Sequence, residues 1–119
     1  MCGWFRIDSY NSGSFLFFLS NLNAQITSSN LDIVVHNQSP SPDLLPNTPA
    51  AGTWFHFAYV QSGSNSIAYL NGVQNVSIGS SPPPVSTNNS ATLGSNSPQA
   101  YMTVSKFKIY NFALNNTQV

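Results

Sequence analysis

Short runs of Phe, Tyr, Val and Ile alternate along the chain with clusters of Ser, Asn, Gly and Pro, and no helical period is sustained. That pattern belongs to an all-β protein. It predicts strands at Gly3–Asp8, Ser14–Ser20, Gln25–Ser28, Asp32–Asn37, Trp54–Gln61, Ser66–Leu70, Val73–Ile78, Ala91–Gly94 and Thr103–Asn111, with a helical turn in Ala113–Val119. The segments Ser39–Gly52 and Ser80–Ser90 hold seven of the eight prolines and read as long loops, because proline removes ladder donors. No repeat and no linker divides the chain, so one domain over residues 1–119 is expected.

The sharpest local signal is Asn71-Gly72, between Ser66–Leu70 and Val73–Ile78. An Asn-Gly pair accepts positive φ at both central positions of a type I′ turn, whose twist suits a two-residue hairpin. Leu70 then opposes Val73, Tyr69 opposes Gln74 and Ile67 opposes Val76. That register places Ile67, Tyr69, Val76 and Ile78 on one face. A second hairpin joins Trp54–Gln61 to Ser66–Leu70 through Ser62-Gly63-Ser64-Asn65. In Trp54–Val60 both alternating sets of residues are apolar. Such a strand is central in its sheet, covered by a second sheet on one side and by loops or a partner on the other. Phe15–Leu19 reads the same way.

Composition narrows the function. The 119 residues include three Lys or Arg, three Asp and no Glu, and solubility rests on 19 Ser and 15 Asn. A typical domain is roughly 25% charged; here the figure is 5%. A chain of zero net charge has no electrostatic footprint for nucleic acid. No apolar run approaches the ~18–20 residues of a membrane span, and the opening six residues turn polar too soon for a signal peptide. The single Cys2 has no partner for a disulfide or a metal site.

Four motifs in order resemble the laminin-G-like jelly rolls of the concanavalin A-like lectin/glucanase superfamily. Trp54-Phe55-His56-Phe57-Ala58-Tyr59-Val60 followed by Ala68-Tyr69-Leu70-Asn71-Gly72-Val73 is similar to that family's Trp-x-His strand and Tyr-x-Asn-Gly hairpin. Ile109-Tyr110-Asn111-Phe112-Ala113-Leu114 is similar to its closing strand, Ala91-Thr92-Leu93-Gly94-Ser95 to the strand before it, and Gly3-Trp4-Phe5-Arg6 to its early Trp strand. The resemblance implies an all-β fold, an antiparallel two-sheet β-sandwich of the jelly-roll, concanavalin A-like kind. Relatives carry one or two strands ahead of the Trp4 strand that pair with the closing strand. The chain is read as lacking them, either as a piece of something longer or with the open edge covered by another protein, since an open edge is a template for strand addition. Many relatives also hold calcium at one rim. Ca²⁺ takes 6–8 oxygen ligands, for which three dispersed Asp residues are thin material, so no metal or other cofactor is expected.

The candidate chemistry is sparse. A glycosidase needs two placed carboxylates, and Asp8, Asp32 and Asp43 are read instead as turn and strand-end residues. Asp32 and His36 share a predicted strand face, yet no Gly-x-Ser-x-Gly accompanies them, so no catalytic residue is assigned. His56, on an apolar strand, is read as a hydrogen-bonded core or interface residue. Lys106 and Lys108 are read as a solvated strand face. Sequons begin at Asn37, Asn75, Asn88 and Asn115, about as many as 15 Asn among 26 Ser or Thr give by chance, so glycosylation is not inferred. Sugar recognition needs an aromatic face beside amide or carboxylate groups. Loop or rim candidates are Tyr10 with Asn11, Asp43 with Asn47, and Tyr101 with Asn96. The expected role is non-enzymatic: a carbohydrate-binding or adhesion module of a secreted, cell-surface or virion protein, with a glycan or another protein as partner. The competing expectation is a structural subunit of a larger assembly, such as a minor capsid or decoration protein. Low charge suits buried contacts in such an assembly, and an oligomer contact would complete the sheet edge.

Overall fold

The structure is a computed structural model that describes residues 1–9, 15–19, 22–26, 33–37, 43–45, 49–62, 65–78, 91–94 and 101–119. Among the described residues ten strands run in chain order: β1 (Cys2–Ser9), β2 (Phe15–Leu19), β3 (Leu22–Ile26), β4 (Ile33–Asn37), β5 (Asp43–Leu45), β6 (Trp54–Ser62), β7 (Asn65–Leu70), β8 (Val73–Ile78), β9 (Ala91–Leu93) and β10 (Tyr101–Lys108). They form two five-stranded antiparallel sheets, ordered β10-β1-β6-β7-β8 and β5-β4-β3-β2-β9. This is the expected β-sandwich, with β6 and β2 inside their sheets as their apolar runs required.

The first sheet turns Phe5, Ile7, Phe55, Phe57, Tyr59, Ala68 and Leu70 inward, all buried. Phe5 is the hub. Its ring meets Phe55 at 5.9 Å in a stacked pose, and Phe57 and Phe107 edge-on at 6.4 and 6.3 Å. Gly3 belongs to the same packing. A Cβ there would lie 3.0 Å from Phe107 Cδ2 and 3.3 Å from Phe107 Cα. Overpacking a filled core costs about 1–3 kcal/mol, and Gly3→Ala is expected to lose about that much in a urea titration. A wild-type midpoint for that variant would mean that Phe107 can yield.

The opposite face of β6 is covered in a way the sequence left open. Residues 109–119 leave the sheet after Lys108 and cross its outer surface. Leu114 seals Ala58, Val60 and Tyr69, with Cys2, Ile67, Tyr110 and Val119 packed around them. The Tyr69 hydroxyl donates to Asn116 Oδ1 at 2.6 Å. The expected helical turn is present. Asn115 Oδ1 accepts from the Thr117 and Gln118 N–H groups, and Gln118 Oε1 accepts from the Asn115 N–H, a reciprocal cap. The outer-facing Ala58 and Val60 of the Trp54–Val60 run are thus covered by the chain's own tail.

Four expectations need correction. The predicted strand through Asn111 ends at Lys108, because burying Leu114 over Ala58 draws the chain off the ladder. The third strand runs Leu22–Ile26 rather than Gln25–Ser28, since Leu19 of β2 pairs with Leu22. Asp43–Leu45, expected in a loop, pairs with β4 as a short strand. The shared face of Ile67, Tyr69, Val76 and Ile78 does not survive. Leu70 and Tyr69 oppose Val73 and Gln74 as expected, but the register then shifts so that Ala68 opposes Val76 and Ile67 opposes Ser77. One extra residue on β8 moves every later position to the other face.

Candidate functional site

The half of the outer face that the tail leaves open is a small grid on three strands. Trp4 stands opposite His56 on β6 and Ser105 on β10. One step along, Arg6 stands opposite Trp54 and Thr103. Alternation dictates the arrangement: with Phe5 and Phe55 turned into the core, Trp4, Arg6, Trp54 and His56 must turn out. Trp4 and Trp54 are 41% and 40% exposed, well above what a core tryptophan would show. They are diagonal neighbours, a relation that places residues about 7–8 Å apart in an antiparallel ladder.

Polar groups sit among the rings. Arg6 Cζ lies 5.6 Å from the centre of the Trp54 ring, within range of a cation–π contact. Arg6 Nε is 2.9 Å from Asp8 Oδ1, an ion pair, although Nε itself makes no aligned hydrogen bond; Nη2 donates to Asp8 Oδ2 at 3.3 Å. Nη2 also reaches Thr103 Oγ1 at 3.4 Å. Both charged side chains are over a third exposed, so the pair contributes little to stability and stays available to a ligand.

His56 is tied in from two directions. Its ring lies 5.4 Å from that of Trp4, tilted by 56°. Its main chain pairs with the hairpin turn: the Asn71 N–H donates to the His56 carbonyl at 2.8 Å, and the His56 N–H donates to Asn71 Oδ1 at 2.9 Å. Asn71 has φ 51° and Gly72 φ 77°, the expected I′ geometry. The side-chain amide oxygen of Asn71 acts as the acceptor for the His56 N–H. The Asn of the Tyr-x-Asn-Gly motif thus extends the β6–β7 ladder by one pair and fixes the strand that carries His56 and Trp54.

Burial holds the His56 imidazole below its ordinary pKa. The unfolded chain therefore binds this proton at higher pH than the folded chain does. The stabilising neutral ring is complete above pH about 6.5 and is lost as pH falls below that value. The Met1 ammonium, which donates to the Tyr59 carbonyl at 2.8 Å, is also lowered by burial, but its window opens below about pH 8. Thermal stability is expected to fall from pH 7 to pH 5, and His56→Gln to flatten that part of the profile. An unchanged slope in the variant would assign it to other groups.

Of the rim candidates, Tyr10, Asn11, Asn47 and Asn96 lie outside the described residues. Asp43 lies on β5, opposite Val35 at the margin of the second sheet. Tyr101 is 68% exposed, opens β10 and pairs with Ser9, beside the grid. Trp4, Arg6, Asp8 and Trp54, which the open face brings together, were not among the rim candidates read from the sequence. The available signal was parity: in Trp54–Val60 and Gly3–Asp8, one of the two alternating sets had to face out. Lys106 and Lys108 are exposed, but Lys106 sits at a break in the ladder with φ 53°. Among the described residues no three His, Cys, Asp or Glu side chains converge on a metal position.

Two antiparallel sheets, one with an open aromatic and polar outer face, make a lectin-like β-sandwich. The chain belongs to the concanavalin A-like lectin/glucanase superfamily: a laminin-G family profile of that superfamily matches residues 1–119. Laminin-G-like domains are in general binding modules of extracellular or surface proteins, although the superfamily also contains glycosidases. No curated protein and no solved structure matched the chain. Among the described residues no helix is long and apolar enough to cross a membrane.

Proposed function

We propose that the chain is a non-enzymatic carbohydrate-binding or adhesion module of a secreted, cell-surface or virion protein, and that it binds through the outer face of β10, β1 and β6. The observation that carries this reading is the pair of half-exposed tryptophans on one rigid sheet face, with Arg6, Asp8 and Thr103 between and beside them. Aromatic rings offer a stacking surface, and strand-borne side chains hold it in place without an ordering cost. Tyr101, which opens β10 opposite Ser9, would extend the contact, whereas Asp43 lies on the other sheet. The absence of Glu speaks against glycoside hydrolysis at this face.

A structural role in an assembly is favoured by a different observation. Ile109 and Phe112 on the crossing tail are 57% and 59% exposed, large apolar groups on a nearly uncharged surface. Mass in solution combined with a glycan array separates the two. A monomer that binds sugars supports recognition. A defined oligomer that binds none supports assembly and contradicts the reading above.

A further inference from the structure

The electrostatics of the open face select among ligands. Arg6 is its one guanidinium and is neutralised by Asp8 at 2.9 Å. The two lysines, Lys106 and Lys108 on β10, lie beyond Ser105 toward the Cys2 end, where Lys108 opposes Cys2. A guanidinium only donates hydrogen bonds and an ionised carboxylate only accepts them, whereas a hydroxyl does both. Side by side, the two offer a complementary donor and acceptor to neighbouring hydroxyls. An anionic group would gain Arg6 but meet Asp8 at the same spot. The Trp54 indole stands across from Arg6, whose Cζ lies 5.6 Å from the ring centre, and Trp4 is the next outward position along β1, so two half-exposed aromatic rings adjoin the pair. Thr103, touching Arg6 Nη2 at 3.4 Å, adds a hydroxyl at the β10 side.

We infer that this face takes an uncharged oligosaccharide, stacked on Trp4 and Trp54, with neighbouring hydroxyls bridged by the Arg6–Asp8 pair. The inference rests on the recognition reading above and adds the charge class of the ligand and the residues that choose it. The occupant is a neutral glycan rather than a second copy or an acidic chain, because the cation among the rings, Arg6, is already paired with Asp8 and the two supply donor and acceptor together. Affinity then has little ionic component and is insensitive to salt, unlike binding driven by exposed charges.

The test is calorimetric titration of the whole chain with two panels. One holds neutral gluco-, galacto- and manno-oligosaccharides, the other sulfated and sialylated ones. Each is run at low and high NaCl, on wild type, Trp54→Ala and Asp8→Asn. Both substituted positions are exposed, and a melting curve verifies folding. The expected result is binding to a neutral sugar that changes less than twofold with salt. It should weaken at least tenfold in Trp54→Ala and about tenfold in Asp8→Asn, while Asp8→Asn gains salt-sensitive binding to the acidic panel. Wild-type binding confined to acidic glycans and abolished by salt would overturn the inference and leave the recognition reading standing. Neutral binding that survives both substitutions would overturn the assignment of the face. Failure of both panels would overturn recognition itself.

Discussion

Phe5→Ala is expected to lower the unfolding free energy by ~3–5 kcal/mol, the usual cost of deleting a fully buried aromatic ring. Phe5 is 0% exposed and is the ring on which Phe55, Phe57 and Phe107 converge from the two neighbouring strands. Its loss removes three aromatic contacts at once, on three strands that cannot easily close the gap while their ladders hold. Domains of this size are stable by only about 5–15 kcal/mol, so the variant should show a much earlier urea midpoint and a raised unfolded fraction at 37 °C. A loss below about 1 kcal/mol would mean that the inner face of the first sheet is loosely filled, contrary to its burial.

Asn71→Ala is expected to cost about 2–3 kcal/mol, a large effect for an exposed turn residue. Two terms contribute. An alanine at φ 51° carries left-handed strain of about 1–2 kcal/mol, and the bond from the His56 N–H to Asn71 Oδ1 is lost. Water can reach this bond, so its net worth is about 0.5–1.5 kcal/mol rather than a full desolvation cost. Asn71→Gly separates the terms, since glycine keeps the turn and loses only the bond. The ordering expected by chemical denaturation is wild type, then Gly, then Ala. An Asn71→Gly variant as stable as wild type would show that the amide does not serve as a ladder acceptor. Because Asn71 steadies the strand that bears His56 and Trp54, Asn71→Gly should also alter the packing of Trp4 on His56.

Strand existence was largely legible in the sequence, because alternation and turn residues are local signals. Asn71-Gly72 fixed its own turn and the first two pairs beside it. The extra residue that shifts β8 left no mark in the pattern, since Val73, Val76 and Ile78 suit either face. The end of β10 was not legible either: Ile109-Tyr110-Asn111 has ordinary strand character, and only the burial of Leu114 against Ala58, Val60 and Tyr69 draws it away. The open outer face was hidden for a related reason. Trp4 and Trp54 look like core residues one at a time. They become surface only once Phe5 and Phe55 have claimed the interior and the tail has covered Ala58 and Val60 but stopped short of His56.

The chain holds two tryptophans, and both stand on the open face. Indole emission therefore reports on that face alone. Titrating the chain with the neutral oligosaccharide that calorimetry selects should shift or quench this emission saturably, at the calorimetric midpoint and independently of salt. Heat of binding without any change in emission would place the ligand elsewhere on the sandwich and contradict the assignment.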